Sequence, residues 1–495
     1  MNKILILGGG VAGLSAGIYC QRYGYRSEIY EKNPVLGGEC ITYKRQGYVV
    51  DNCIHWLTGV RPSDTIYKVW RETGVIDDAT GFIHEPYLYR LHYGETCLTL
   101  WTDREKARQE LLAFAPEDSG PINAFFEAVQ RSECVAVPCE KSLAKMSFVG
   151  YMKIGKGMRA MLPVLKTYGK MSIGQLAASF KNPAVAALMR GYFNDDYKAL
   201  ILVTSYAFYT SGMAALPLGG SKGLIERMKA TYLSLGGQIH LAEPALKINV
   251  VGKKAASVAF AKETIPCVGV IAACDPEVTF SQLLDDSYRA KALRQMKDHR
   301  KDRYLLASCF TVSYGIEGSE DYGLEPGSVS FRCAPYNVGG KTFTILDVRL
   351  YADDPELFPK DKRVIRSIIL QDENCYDYWE KLYPNKEVYA AEKKRIATLV
   401  QERILKQYPL LAGHLKLIDS YSPITFTRYC GAYRGSYMAY FERSGGKSLT
   451  AKNTIKGLKN VFLASQVLTT SGGLPMAVTS GKFAADEVKH AIKKR

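Results

Sequence analysis

The chain has no apolar run long enough to cross a membrane, since a spanning helix needs about 18 or more consecutive apolar residues. Its longest apolar stretches, Ala199–Val203 and Val268–Cys274, have the length of β-strands. Near the start, only Ile4–Leu7 is apolar before glycines follow, which is too short for a secretory signal and is typical of a strand. We therefore expect a cytoplasmic protein, and peripheral attachment to the inner membrane face stays open.

The sequence also has little that would suit metal binding or disulfide cross-linking. Twelve cysteines in 495 residues contain no paired CxxC motifs, so we expect neither a zinc site nor a disulfide scaffold. Cys134 and Cys139 have the CxxxxC spacing of flavin disulfide reductases, but they lie far beyond the first strand–helix–strand unit. Near that unit stand only Cys40 and Cys53. We expect buried or unreactive thiols and no metal.

Acidic residues are outnumbered, with 49 Asp and Glu against 65 Lys and Arg and a net charge of +16. This excludes an acidic protein, and a hydrophobic fraction of 47% excludes a disordered one. The length corresponds to two to four domains. No helix-turn-helix, RNA-binding or zinc signature accompanies the positive charge, so we expect no nucleic acid partner.

The first 31 residues carry the strongest motif. Lys3–Leu7 is typical of a buried strand, Gly8–Gly13 satisfies GxGxxG, Leu14–Tyr23 has helical spacing, and Arg26–Tyr30 is a second strand that ends at Glu31. This order is the dinucleotide-binding fingerprint. Its glycines provide a tight turn, close approach to a pyrophosphate and close helix packing, while the acid can accept both ribose hydroxyls.

The segments after this unit resemble a known flavoprotein superfamily. Glu31–Gly38 and Gly47–Gly59 are similar to segments of flavin amine oxidases, carotenoid (phytoene) desaturases and retinol saturases. Leu216–Leu224 and Gly472–Pro475 resemble later segments of that superfamily. Ser422–Tyr437 resembles the desaturase and saturase branch specifically.

The resemblance implies FAD as the cofactor and an α/β fold. It implies a Rossmann-like FAD domain of the glutathione-reductase type, discontinuous over 1–75, 215–289 and 450–495, and an α+β substrate domain over 76–214 and 290–449. The residues that it implies for cofactor binding are Gly8, Gly10, Val11, Ala12, Gly13, Glu31, Lys32, Gly38, Glu39, Ile54, His55, Ala245, Gln466, Gly473, Leu474, Pro475 and Met476.

Two positions depart from the superfamily pattern. Many members have arginine after the Gly-Gly pair, near the pyrophosphate, where this chain has Glu39. Members usually have Gly-Glu or Gly-Asp after the last strand, where this chain has Ser465-Gln466. The altered charges predict a changed contact with the pyrophosphate and the ribityl chain.

His55 is the histidine in a motif that could reach a flavin, so it is our candidate acid or base. A packing role for its ring is the alternative. Tyr206, Tyr209, Tyr429 and Tyr433 are candidates for the lining of a substrate cavity, and the alternative for most tyrosines is a place in the amphipathic wall or the core. Gly155–Ala160 fits GxGxxA, but no convincing strand precedes it, so we expect no second nucleotide domain.

Residues 141–181 contain eight basic residues and no acid, interleaved with methionine and other apolar residues. The basic residues are Lys141, Lys145, Lys153, Lys156, Arg159, Lys166, Lys170 and Lys181. This pattern suits an anionic membrane surface, and we expect the segment to dock there and to form the substrate entrance. A solvated basic helix pair is the alternative.

The resemblance implies an FAD-dependent oxidoreductase that transfers hydride between a C–H bond of a hydrophobic polyene, isoprenoid or lipid and the flavin. Desaturation, saturation and double-bond isomerisation stay open, as does the oligomeric state. A flavin amine or amino-acid oxidase is the alternative, with Arg428 as the candidate carboxylate ligand. A FAD-binding protein without turnover is the second alternative.

Overall fold

The computed structural model describes residues 3–318, 320–351, 354–358 and 362–492. Within these ranges the strands are β1 (Lys3–Leu7), β2 (Arg26–Tyr30), β3 (Thr42–Arg45), β4 (Tyr48–Asp51), β5 (Leu57–Thr58), β6 (Phe82–Ile83), β7 (Tyr87–Tyr93), β8 (Thr96–Trp101), β9 (Ala214–Pro217), β10 (Gln238–His240), β11 (Lys247–Val251), β12 (Lys254–Ala259), β13 (Thr264–Pro266), β14 (Gly269–Ala272), β15 (Tyr304–Leu306), β16 (Ser308–Glu317), β17 (Gly327–Val338), β18 (Lys341–Leu350), β19 (Lys362–Gln371), β20 (Leu415–Tyr421), β21 (Tyr440–Glu442) and β22 (Val461–Leu463).

The helices of the same ranges connect and cover these strands. They are α1 (Val11–Arg22), α2 (Tyr67–Thr73), α3 (Arg104–Phe114), α4 (Ser119–Ser132), α5 (Phe148–Gly157), α6 (Leu162–Thr167), α7 (Ile173–Ala177), α8 (Pro183–Arg190), α9 (Leu200–Thr210), α10 (Gly220–Ser234), α11 (Pro276–Val278), α12 (Lys291–Asp298), α13 (Glu373–Leu382), α14 (Lys386–Gln407), α15 (Pro423–Cys430) and α16 (Leu474–Ala491).

A parallel five-stranded sheet is the first of the two large layers, with the strand order β10-β2-β1-β14-β22. Ile4 and Ile6 of β1 pack into the core that contains α1, α10 and α16. Leu5 and Leu7 pack on the opposite face, where β11, β12 and β13 form an antiparallel cover. Both faces are therefore buried, which is why β1 is an unbroken apolar run.

The second large layer is a seven-stranded sheet with the order β20-β16-β19-β18-β17-β7-β8. Its neighbours are antiparallel except for the parallel pair β17 and β7. Helices α13 and α14 share an apolar core with one face of this sheet, and helices α3, α4 and α7–α9 form another core with β7 and β8. The fold class is confirmed: a Rossmann-like α/β layer is joined to a mixed α+β layer. The domain boundaries stay a prediction.

One apolar stretch forms a different element from the strand that we expected. Ala199–Val203 lies at the start of helix α9. This helix is apolar nearly all round and is largely buried, so its sequence has no period that separates a short helix from a buried strand. In contrast, Val268–Cys274 contains β14, as expected. No helix in the described ranges is long and apolar enough to span a bilayer.

Candidate functional site

A cavity of about 740 Å³ lies at the carboxyl edge of the parallel sheet and extends to helix α9. This edge is where open parallel sheets bind their ligands, and the volume is in the usual range of ligand pockets. The residues that the sequence predicted and that line this cavity are Gly8, Gly10, Val11, Ala12, Glu31, Lys32, Gly38, Glu39, His55, Ala245, Gln466, Gly473, Leu474, Pro475 and Met476.

The two other predicted cofactor residues, Gly13 and Ile54, do not line the cavity. Ile54 is 2% exposed and packs in the core, because neighbours along an extended segment face opposite sides. Cys53 and His55, on either side of it, line the cavity. A Cβ atom on Gly13 would lie 1.9 Å from the carbonyl oxygen of Gly8. Gly13 therefore allows helix α1 to pack closely against the preceding turn.

Gly10 has a different role from Gly13 within the same turn. A Cβ atom on Gly10 would meet no protein atom closer than 3.7 Å, at the carbonyl oxygen of Gly37. The protein therefore leaves room for a small side chain at this position, and such a side chain would project into the cavity. This cradle, at the N-terminus of α1 with its unpaired N–H groups, fits a dinucleotide pyrophosphate.

Glu31 directly follows strand β2 and lines the cavity with a buried carboxylate. Its Oε2 atom accepts a hydrogen bond from the backbone N–H of Gly9 at 2.7 Å, and its Oε1 atom accepts two from Asn33, from the backbone N–H and from the side-chain amide, both at 2.9 Å. The Oε2 atom can accept a second hydrogen bond. The fixed carboxylate therefore fits the ribose hydroxyls of a bound dinucleotide.

A hydrogen bond connects Glu39 and Gln466, which stand at the two positions that depart from the superfamily pattern. The Nε2 atom of Gln466 donates to Oε2 of Glu39 at 3.0 Å, and the Oε1 atom of Gln466 accepts from the backbone N–H of Gly473 at 2.8 Å. Burial, together with the nearby Asp275 carboxylate, raises the pKa of Glu39 to about 8. Glu39 is therefore a neutral acid at neutral pH, and it fits beside phosphates as a hydrogen-bond donor.

Helix α16 begins at the cavity, and its N-terminal residues Leu474, Pro475 and Met476 line the wall. Its position depends on a close helix crossing, because a Cβ atom on Gly481 would lie 2.2 Å from the carbonyl oxygen of Ala12. The N-terminal end of a helix carries partial positive charge. The N-terminus of α16 can therefore stabilise an anionic group that is bound in the cavity.

His55 lines the cavity between Trp56 and Tyr437, and its Nε2 atom lies 3.4 Å from the Tyr437 hydroxyl oxygen. Burial and the positive charges of Arg349 and Arg366 hold the pKa of His55 well below its usual value. The imidazole is therefore neutral at neutral pH. It can accept or donate a hydrogen bond, but it does not carry the additional proton that an imidazolium would release as an acid.

The far part of the cavity is mainly apolar and is formed in part by α9. Its apolar lining includes Phe193, Leu200, Ile201, Phe208 and Phe441. The cavity wall also includes a half-buried ion pair, in which the Nζ atom of Lys198 lies 2.6 Å from the Glu442 carboxylate. This arm suits a long apolar ligand.

One of the four candidate tyrosines lies at the cavity. Tyr429 lines the cavity, while Tyr206, Tyr209 and Tyr433 do not. Tyr206 donates to the carbonyl oxygen of Trp101, and Tyr209 donates to the Glu85 carboxylate. Both lie on the side of α9 that faces the core, which no sequence period reveals in a helix that is apolar nearly all round.

Three features of this region were not predicted from the sequence, namely the buried Arg349, the buried Arg366 and the meeting of Cys40 with Cys53. The two arginines lie in strands with no motif, about 300 residues after the segment that they contact. Charged residues within apolar strands were the available signal, since such residues are rarely buried without a partner.

Two sequence patterns have no place at this site. Gly155–Ala160 starts in the last turn of helix α5, so it does not form the turn between a strand and a helix. The Sγ atom of Cys134 donates to Arg131, whereas that of Cys139 donates to Thr65. In the described ranges, no group of three or more His, Cys, Asp or Glu residues is arranged for a metal ion.

Comparisons with known proteins agree with this geometry. Residues 6–73 match the model of an NAD(P)-binding Rossmann-like domain. The chain is 24% identical to a phytoene desaturase (lycopene-forming) of a Paracoccus species over 63% of this chain and 62% of that protein. It is 20% identical to a 4,4'-diapolycopene oxygenase of a Methylomonas species over 98% of both chains.

Solved structures extend the likeness to the whole fold. An oxidoreductase from Methanosarcina mazei, 14% identical, has a TM-score of 0.61 and covers 98% of this chain and 100% of its own. Cyclohexylamine oxidase from Brevibacterium oxydans, 13% identical, has a TM-score of 0.58 over the full length of both chains. By sequence the chain is related to the carotenoid desaturases, and its fold is that of the flavin amine oxidases.

Proposed function

We propose that this protein is an FAD-dependent oxidoreductase that acts on a hydrophobic polyene, isoprenoid or lipid. The observation that carries the proposal is the continuity of one cavity from the glycine turn to the apolar arm along α9. Bound FAD supplies hydride exchange at its flavin ring. Desaturation, saturation and isomerisation of a double bond all require the same placement of substrate beside that ring.

The residues of the chain would hold the cofactor and exclude water. The turn at Gly8 and Gly10 would receive the pyrophosphate, Glu31 the adenosine ribose, and the N-terminus of α16 the negative charge that develops on reduction. We place the FAD domain at 1–75, 215–289 and 450–495. The apolar arm would hold the substrate carbon in a dry site, where positioning provides most of the catalysis.

The cavity wall favours a polyene over an amino acid as the substrate. Among the described lining residues there is no arginine that could bind a substrate carboxylate. The guanidinium of Arg428, our candidate for that role, lies over the rings of Tyr383 and Tyr429. His55, which stays neutral, would act by hydrogen bonding in the site.

We also propose that helix α5 docks the protein on an anionic membrane. Phe148, Val149 and Met152 of this helix are 79%, 75% and 60% exposed, and Lys156 and Arg159 beside them are exposed as well. Exposed apolar and basic residues in one helix are typical of membrane-surface segments. The side chain of Lys153 lies outside the described part. The described residues of 141–181 do not line the cavity, so the proposal concerns docking alone.

The function is tested with the purified yellow protein. The released cofactor is identified by chromatography against FAD and FMN, and co-purifying lipids are identified by mass spectrometry. Oxidised protein is then mixed anaerobically with acyclic polyenes in detergent or with a panel of amines, and dithionite-reduced protein is mixed with the same polyenes. We expect the flavin spectrum to change with polyenes. A response to amines alone would contradict the proposal.

A further inference from the structure

Cys40 and Cys53 are brought together by the hairpin of β3 and β4. In this hairpin Thr42 pairs with Asp51, and the backbone N–H of Asn52 donates to the carbonyl oxygen of Ile41 at 2.9 Å. Cys40 precedes Ile41 and Cys53 follows Asn52, so the two cysteines flank this hydrogen bond just beyond the paired residues of β3 and β4. The two cysteines are 13 residues apart in the sequence and nevertheless face each other at the end of the hairpin.

This placement brings the two thiols together. A disulfide joins residues whose Cα atoms lie about 4.4–6.8 Å apart, a separation that neighbours across the end of a hairpin can reach. The pKa of Cys53 is raised well above its usual value. The main cause is a side-chain hydrogen bond with Cys40 and the second is burial, so the two thiols are neighbours. Both cysteines are thiols in this structure.

Both cysteines also line the cavity that the proposed function assigns to the cofactor. Glu39 precedes Cys40 in the wall, and His55 follows Cys53 two residues later. The pair therefore belongs to the wall of the proposed flavin site. Cys40 is only 3% exposed, and Cys53 is half-buried.

We propose that Cys40 and Cys53 form a redox-active pair that exchanges two electrons with the bound flavin. This inference rests on the proposed function. In the forward direction two S–H bonds break and one S–S bond forms, while two electrons and two protons pass to the oxidised flavin. A small thiol reductant restores the dithiol by exchange.

The pH dependence of this step follows from the chemistry of thiols. A thiol must lose its proton to act as a nucleophile, and the Cys53 proton is held firmly by its contact with Cys40. The carboxyl groups that face Cys53 are Asp51 and Glu39, and they add to this effect when ionised, which for Glu39 means above about pH 8. Disulfide formation therefore speeds up as the pH rises.

The test counts the electrons that the oxidised holoprotein accepts. Flavin content is measured first, and the protein is then titrated anaerobically with dithionite. We expect four electrons per flavin for the unaltered chain and two for Cys40→Ser or Cys53→Ser. The matched control is the double variant Cys134→Ser/Cys139→Ser, which should still accept four electrons, because these exposed or half-exposed thiols lie apart from each other.

A second measurement does not depend on the cofactor. Protein freed of flavin is oxidised with diamide, alkylated with iodoacetamide and mapped by mass spectrometry. A peptide that joins Cys40 to Cys53 is expected. Absence of flavin from the purified protein would overturn the proposed function. Flavin-loaded protein that accepts only two electrons, or apoprotein that forms no Cys40–Cys53 link, would overturn the cysteine proposal alone.

Discussion

Arg349 of β18 and Arg366 of β19 stand directly opposite each other in two antiparallel strands, and both are buried. Like charges in such a pair normally destabilise a sheet. Arg349 is neutralised by Glu85 at 2.7 Å and also donates to the carbonyl oxygen of His55 at 3.1 Å. Arg366 donates to the carbonyl oxygen of Asp51 at 2.6 Å. The two cations thus hold both ends of the segment 51–55 that enters the cavity.

Arg366 differs from Arg349 in having no carboxylate partner among the described residues. Its other hydrogen bonds go to neutral acceptors, namely the hydroxyl groups of Tyr351 and Tyr421 and the side-chain oxygen of Asn52. Burial of a cation without a carboxylate partner costs free energy. Because no carboxylate cancels the charge of Arg366, a positive field remains beneath the candidate site.

Arg366→Met should raise the pKa of His55 toward its usual value. Arg366 is one of two cations that disfavour the charged imidazolium, so its removal makes protonation easier. The measurement is an NMR pH titration of labelled histidine, with the His55 signal assigned by His55→Gln. Arg366→Lys, which keeps the charge, should hold the pKa low. Arg363→Met, earlier in the same strand, should have no effect; an unchanged His55 titration in Arg366→Met would contradict the argument.

Gly10→Val should abolish FAD binding while the protein still folds. The site has no protein atom within 3.7 Å of the new Cβ, so the side chain occupies the space of the pyrophosphate. Gly13→Ala should instead destabilise the fold, because its Cβ would overlap the Gly8 carbonyl oxygen; overpacking of this kind costs about 1–3 kcal/mol or more. Flavin content and thermal unfolding distinguish the two variants. A yellow Gly10→Val protein would contradict the assignment of this turn.

The affinity for FAD should fall above pH 8 because of Glu39. Its raised pKa of about 8 means that the carboxyl is neutral below that pH and negative above it, and a negative carboxylate repels the phosphates. We expect the Kd to be constant from pH 6 to about 7 and then to rise by up to about tenfold per pH unit. Fluorescence quenching of FAD on addition of apoprotein measures it.

Two variants serve as the comparison for this titration. Glu39→Gln removes the ionisable group and should bind FAD with no such pH dependence. Glu226→Gln, exposed on α10, should titrate like the unaltered protein. If the affinity of Glu39→Gln still fell above pH 8, another group would be responsible.

Replacement of Lys156, Arg159 and Lys166 with Glu should remove binding to anionic vesicles. Each cation near such a surface contributes about 1 kcal/mol, and this attraction is screened over about 8 Å at physiological salt. Co-sedimentation with vesicles should therefore rise with the anionic lipid fraction and fall in high salt. The control replaces three exposed lysines elsewhere, Lys253, Lys394 and Lys406, by Glu, which changes the net charge equally.

The apolar contribution to docking is separable from the charge. Phe148→Ser/Val149→Ser should weaken vesicle binding, since burial of apolar surface contributes about 25 cal/mol per Å². The binding that is left should keep its salt dependence, because the basic residues are unchanged. Flavin content should not change in either set of variants. Equal sedimentation of the basic-to-acidic triple variant and its control would show that 141–181 is a solvated surface.

The sequence alone determined the nucleotide-binding turn. Gly8, Gly10, Gly13 and Glu31 fall within one strand–helix–strand unit, so their roles follow from local backbone geometry and close approach. The apolar run of β1 likewise indicated a parallel strand buried on both faces. The superfamily resemblance predicted the later wall residues, such as Gln466 and Pro475, which no local pattern connects to the first turn.

Only the tertiary structure decided how the rest of the site is charged and paired. The Glu39–Gln466 contact joins residues 427 positions apart, and Arg366 contacts a segment more than 300 positions earlier. The pKa of Glu39 depends on burial, which exists only after the layers have packed. Cys40 and Cys53 meet because of hairpin register, whereas the more suggestive spacing of Cys134 and Cys139 gives no contact. Local sequence specifies short-range backbone geometry, but burial and long-range pairing depend on the whole folded chain.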